Sequence, residues 1–571
     1  MSGIGIIKPF IAIIIAAVSV SAFVTPSCHS SDSGATAGNT AGNTPSSPAT
    51  GPTGSSSVVV PPALPKLHVP TTNIVSTGST IDVAAGQDLQ AALDKATPGD
   101  TISLQAGAVY TGPFVLPAKQ GTGWITIQSS SLGSALPAGQ RVSPTDSTDM
   151  PKLESASDEV LSVAAGAHNY RFIGIEIRPA AGKRIDNLIL LDVNAVSLDT
   201  VPSYFIFDRC YIHGDPNVGT RRGIAMNSAY TAVINSYLSD FKRTGVDAQA
   251  INSWNGPGPF RLANNYFEAS GEDVLFGGED PSIQNLTPSD IEIVHNYFSK
   301  SLTWRVGDPS YAGTEWSIKN ILELKNAQRV LIKGNLFEHN WVQSQNGFSI
   351  LFTVRDQSGT APWSTVRDVT FSDNVLRHAA NGINILGYDD NYPSAQTQRI
   401  LIRNNLFYDI GYSWSGGDLL QMLDGTLGVD FSHNTALQSN NVITADGRPN
   451  TDFIFDDNIV NHNHYGIIGN NTGTGNSTIS RYFPDSDITS NVFIGGPASE
   501  YPLGNYFPSA VKDVGFSNEA GENFRLAPSS RYKNKASDGT DIGADMNELC
   551  EALAGANPKL TSYVPTCSAG N

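Results

Sequence analysis

Apolar and polar residues alternate in short runs along most of this chain, and the runs repeat. One phrase, an apolar alternation closed by a turn residue and a further apolar pair, stands at 204–212, 232–238, 260–267 and 291–298. Aligning these copies generates a column: Cys210, Ser236, Asn265, Asn296, Asn335, Asn374, Asn405, Asn434, Asn458 and Asn491. The intervals vary from 24 to 39 residues, which suits a solenoid, where strands stay fixed and loops vary, better than a propeller with even blades. A second column follows each copy, at Gly223, Gly245, Asp273, Gly347, Gly382 and Gly466. Two strand starts per coil with a turn between them predict an all-β parallel β-helix of about twelve coils. The Asn column is expected to stack along the axis with left-handed backbone, and the Gly column to supply positive φ. Ahead of the coils, Leu89, Ala92, Leu93 and Ala96 keep helical spacing within 86–96, predicting a short capping helix.

The helical cap, the Asn-bearing coils and the closing run Asp538-Gly539-Thr540-Asp541-Ile542-Gly543-Ala544 together resemble the pectin-lyase-like superfamily, over roughly residues 80–548. The resemblance implies a single-stranded right-handed parallel β-helix. It does not settle activity, because that superfamily includes lyases, hydrolases, epimerases and non-catalytic surface proteins. The polygalacturonase set is incomplete here, with no Gly-His-Gly or Arg-Ile-Lys step, and the Arg-Xaa-Pro-Xaa-Xaa-Arg signature of classical pectate lyases is missing. Catalytic residues of those families are therefore not carried over.

The first 28 residues read as an export signal. Lys8 is its single charge, and the uncharged run at 9–24 is shorter than the ~20 residues of a membrane span. Cys28 stands where a lipoprotein cysteine would, although Thr25 and Pro26 are unusual before one. Residues 29–66, rich in Ser, Gly, Thr and Pro, predict a disordered tether, 67–548 the β-helix domain, and 549–571 a tail with a candidate disulfide between Cys550 and Cys567. Cys210, at a repeat position, reads as a buried filler. A short helix is expected from about Met546 to Ala554. With 35 basic against 53 acidic residues, net charge −18, nucleic acid is a poor partner. The expectation is a monomeric extracellular or cell-surface protein, with periplasm or outer membrane as alternatives, engaging an extracellular polysaccharide.

Charge is scarce, at 15% of residues, yet dense between the phrases of 213–305. Registering the second column places Arg222, Thr244 and Glu272 in one file about 4.8 Å apart per coil, with Asp247 on the middle coil and Asp273 beside Glu272. Lys242 and Arg243 precede that file on a turn. β-Elimination of a uronate needs its carboxylate neutralised and a base nearby. Lys242, Arg243, Arg222, Asp247 and Glu272 are the candidate catalytic residues, and Asp240, Asp247, Glu272 and Asp273 candidate Ca²⁺ ligands. Two carboxylates could instead hydrolyse a glycosidic bond, or the charges could simply pair and solubilise one face. Trp254, His213, Arg221, Gln249 and Arg305 are candidate sugar contacts. His213 also suits a loop-ordering hydrogen bond, and Trp254 a cover for the coil core. Trp304, Trp316, Trp341 and Trp363 could extend an aromatic line, and the long loops at 354–367 and 386–399, with Arg355, Asp356, Tyr388, Asp389, Asp390 and Tyr392, form a second polar zone.

Overall fold

The computed structural model describes residues 59–568, apart from 73–74, 158, 192–193 and 556–558. The export signal, Cys28 and most of the tether lie outside the described residues. After two opening strands that both join the first sheet, the strands return in rotation to three parallel sheets of 14, 13 and 12 strands. Sheet 1 begins with Thr80–Val83, sheet 2 with Val109–Thr111 and sheet 3 with Phe114–Leu116. This is a right-handed parallel β-helix. Among the described residues no helix is long and apolar enough to cross a membrane.

The Asn column sits at the turn from sheet 1 to sheet 2. Asn335 is representative: its Oδ1 accepts from Asn296 N at 2.9 Å and Nδ2 at 3.0 Å, while its Nδ2 donates to Ile293 O at 2.9 Å and Asn374 Oδ1 at 2.9 Å. The ladder continues beyond Asn491 to Asn505. The left-handed backbone falls one residue earlier than expected, on Asn264, His295, Asp373, Asn404, His433 and Asp457. Turning there places each ladder Asn just after the left-handed residue, with its amide bonding both neighbouring coils. The Gly column has positive φ at Gly245, Gly347 and Gly466, as expected, but not at Gly223 or Gly382. Gly223 is absent from the positive-φ glycines, and a Cβ there would meet Ala250 O at 2.5 Å. Close approach of the next coil, not torsion, is what requires it.

Inside, aromatic rings stack coil on coil, as in Phe267, Phe298 and Phe337, whose centroids lie 5.1 and 4.6 Å apart. Each such pair adds about 0.5–1.5 kcal/mol beyond area burial, so every rung ties a coil to the next.

One helix caps the N-terminal end of the solenoid and another lies along the outer face of sheet 2. Leu89–Lys95, capped by Asp88, buries Leu89, Ala92 and Leu93. Met546–Ala554, capped by Asp545, buries Met546, Leu549 and Leu553 against Leu336, Val375 and Leu406 of sheet 2. Cys550 and Cys567 are disulfide-bonded and Cys210 is free and buried.

The tether expected up to residue 66 is corrected at its end. Ala63 N donates to Asp368 at 3.0 Å, Lys66 N to Asp290 at 2.7 Å, and Arg171 donates to Thr72 O at 3.1 Å. These residues form a strap along sheet 1. Proline supplies the extended backbone and the fold supplies the acceptors.

Candidate functional site

The third sheet lies between two sets of swollen turns, so its outer face is the floor of a groove. Across the strands Asn187–Leu190, Arg222–Ala225, Gln249–Ser253 and Glu272–Phe276, the register aligns Asn187, Arg222, Gln249 and Glu272. Gln249, not Thr244, is the middle member of the file, because the turn at 242–248 delays the strand start. Arg222 Nε donates to Gln249 Oε1 at 3.1 Å, and Gln249 Nε2 donates to Glu272 Oε2 at 2.7 Å. Burial, and then Arg221 alongside, pushes the Arg222 guanidinium down to about 10. Its charge lies 5.6 Å from the Trp254 ring centroid.

The next coil contributes Lys319, which the sequence reading missed. Its Nζ stands 2.8 Å from Glu272 Oε1 and 3.0 Å from Asp247 Oδ2. Burial works against the ammonium, but Glu272, Asp247 and Glu323 outweigh it and hold the proton above the ordinary lysine range. Glu323, likewise missed, accepts from Asn320 Nδ2 at 3.1 Å and Thr353 Oγ1 at 3.3 Å, with Lys325 Nζ at 3.5 Å. Arg243 reaches the same edge of the sheet, donating to the Asp186 carboxylate and to Ile185 O.

The remaining predicted residues do not join this face. Lys242 Nζ pairs with Asp240 Oδ1 at 2.7 Å and lies 5.1 and 5.4 Å from the Trp304 and Trp316 rings, on the sheet 2 side of the turn. Beside it is another missed residue, Glu268, whose carboxylate accepts from Asp240 N at 3.2 Å and from Tyr266 OH at 3.2 Å. Burial, with Asp240 adding repulsion, pushes Glu268 up to about 7. Asp273 is inside the coil. It and Lys300 are fully buried, 3.9 Å apart, and Lys300 Nζ donates to Ala269 O and Gly271 O, both at 2.8 Å. Burial raises the Asp273 carboxyl well above its usual range. Adjacent residues of a strand face opposite ways, so Glu272 and Asp273 could not have shared one ion. His213, on sheet 2, stacks on Tyr211 and meets Glu176 Oε1 at 3.3 Å.

The aromatic line is corrected as well. Trp304, Trp316, Trp341 and Trp414 are buried together with Ile318 and Ala380, forming the packed base of the wall at 300–321. Arg305 lies over Trp414, 4.1 Å from its centroid. In the opposite wall, Trp363 Nε1 donates to Leu286 O at 2.9 Å. There Asp280 accepts from Gln357 N at 2.6 Å and Ser358 N at 3.0 Å, stapling 277–288 to 354–365. Arg355 is neutralised by Asp389 and Asp390. Arg355 in the second polar zone is therefore internally paired, whereas Trp254, beside Arg222, is only half-buried.

No protein-family model matches the sequence, and no curated protein matches it. Among solved structures, the chain is similar to a mannuronic acid specific polysaccharide family 6 lyase from human gut microbiota, at 13% identity over 86% of this chain and 100% of that one, TM-score 0.48. It is also similar to the catalytic unit of a GH87 alpha-1,3-glucanase from Streptomyces thermodiastaticus, at 13% identity over 75% and 68%, TM-score 0.47. A third is a double mutant of the tailspike protein of E. coli bacteriophage HK620 with a pentasaccharide, at 12% identity over 75% and 64%, TM-score 0.44.

Proposed function

We propose that the chain is a carbohydrate-active protein that binds an acidic, uronate-containing polysaccharide in the sheet 3 groove and cleaves it by β-elimination. The observation that carries this reading is the network of Arg222, Gln249, Glu272, Lys319 and Asp247 on consecutive coils of the groove floor. A uronate entering there meets the Lys319 ammonium, which can neutralise its carboxylate and so acidify the adjacent proton. Lys319, held charged, serves as electrophile. Arg222, brought down to about 10, acts in its deprotonated form as the base: it takes that proton as the carbon–oxygen bond to the leaving sugar breaks, and passes it to the departing oxygen. Trp254 offers its ring edge to a sugar beside Arg222.

Ca²⁺ could add to this neutralisation through Asp247 and Glu272. However, those carboxylates already enclose the Lys319 ammonium, and an ion needing 6–8 oxygens would have to displace it. The proposal therefore rests on the protein's own Lys319 ammonium. Export, attachment through Cys28, and function as an extracellular monomer belong to the same reading.

A second reading, a non-catalytic surface protein for glycan binding or adhesion, is favoured by one observation: Glu272 is fully buried and its carboxylate is taken up by Gln249 and Lys319. One experiment separates the two. Wild type, Arg222→Ala and Lys319→Met are incubated with uronate-containing and neutral polysaccharides, with Ca²⁺ and with chelator, following unsaturated-product absorbance and reducing ends. Absorbance that rises only on uronates and is lost in both variants is expected. Reducing ends alone would assign hydrolysis, and silence in both assays with retained binding would leave the adhesion reading.

A further inference from the structure

We infer that His433, Asp457 and Asp538 form a binding site for a divalent transition-metal cation, away from the groove. His433 and Asp457 hold equivalent places on successive coils: each is the left-handed residue, φ 51° and 56°, just before a ladder Asn. Asp538 arrives from the chain's return along the coil, which docks by Ser537 N and Oγ donating to Asp457 at 2.7 and 2.6 Å and Gly543 N donating to Asp457 O at 2.8 Å. His433 Nε2 is 3.3 Å from Asp457 Oδ2 and 3.3 Å from Asp538 Oδ2, and the three atoms lie within 4.8 Å of one another.

Hydrogen bonding alone accounts poorly for that arrangement. A ring nitrogen carries at most one proton, directed at one acceptor, yet two carboxylate oxygens stand equidistant from it, both beyond the usual bond length. Ligands ~2.0–2.2 Å from a shared ion are separated from each other by about 3.0–3.5 Å, and both distances from His433 Nε2 fall in that range. The carboxylates are also pre-oriented, as metal ligands characteristically are. Ser537 Oγ fixes Asp457, while Thr540 N and Oγ1 bond Asp538 Oδ1 at 2.9 and 2.6 Å, turning Oδ2 toward His433.

The local field asks for positive charge. Asp430 and Asp456 lie beside the trio, and Oδ1 of each is buried without a hydrogen-bond partner. Against these the nearest fixed cation is Arg403, with Nη2 3.5 Å from Asp538 Oδ2. His433 and Asp538 line an open cleft together with Arg403, Lys533 and Asn534, giving an ion entry and room for completing waters. One imidazole nitrogen and two carboxylates suit Zn²⁺, Mn²⁺ or Co²⁺ over Ca²⁺, which prefers oxygen throughout. Bound there, the ion would join the return segment to two coils.

The test is calorimetric titration of untagged, chelator-treated full-length protein with Zn²⁺ and Mn²⁺, alongside thermal melts. One saturable site is expected, with a higher melting temperature, and at least tenfold weaker binding in His433→Ala and Asp538→Ala. Asp538 is partly exposed, so its variant should fold and decides the matter if the other does not. Absence of saturable binding, or binding unchanged in Asp538→Ala, would overturn the site.

Discussion

Lys319 Nζ stands 2.8 Å from Glu272 Oε1, and the Glu272 side chain has no exposed area. Removing one partner of a buried pair strands the other charge, at a cost of ~3–5 kcal/mol. Lys319→Met should lower unfolding stability by about that much in urea titration. Adding Glu272→Gln should recover most of it. A double variant no more stable than Lys319→Met would mean the pair is not coupled.

Trp254 and Trp316 should separate a sugar platform from a packed wall. Trp316, buried among Trp304, Trp341 and Trp414, should cost ~3–5 kcal/mol as Trp316→Ala. Trp254→Ala should leave the melt nearly unchanged and weaken uronate-polysaccharide retention in affinity electrophoresis by about tenfold, ~1.4 kcal/mol. Equal retention would remove Trp254 from the groove contacts.

Glu268 makes stability fall with rising pH. Its carboxyl is raised from 4.5 to about 7 in the folded chain, so between those values the native state keeps a proton that the unfolded state has released. The unfolded state then binds fewer protons, and stability declines as pH climbs through that window. Wild type compared with Glu268→Gln by denaturation at pH 5 and pH 8 should show the decline shrinking in the variant. Identical slopes would contradict it.

Asn335→Ala removes one rung of the ladder. It leaves Asn296 N and Ile293 O, both buried, without their partner, and each such group costs ~1–3 kcal/mol. A loss of at least ~2 kcal/mol is expected from chemical denaturation, far more than for an exposed Asn such as Asn391.

The scaffold was legible because its determinants are periodic. Apolar residues at fixed offsets around an Asn repeat whatever loop intervenes, so the column from Cys210 to Asn491 and the helix at Met546–Ala554 could be read directly. The site was only half legible, for three local reasons. The turn at 242–248 shifts the strand start, so Gln249 replaces Thr244 in the file. A bulge between Leu238 and Phe241 sets Asp240 off the register and brings Glu268 beside it. Lys319 closes the network from the end of a long loop, where spacing along the chain carries no register. A charge beside a strand start can face groove, neighbouring sheet or core, and one residue of slip decides which.

The strap along sheet 1 bears on how this solenoid comes apart. Stacked coils contact only their neighbours, so such molecules tend to fray progressively from an end. Ala63 bonds Asp368, 305 residues away, Lys66 bonds Asp290, 224 away, and Thr72 meets Arg171. One short extended segment thus spans coils that never touch each other, and it can dock only once all of them have formed. It acts as a tie rod: unfolding is expected to be a single cooperative event with the strap in place, and to broaden into successive steps when residues 59–72 are deleted.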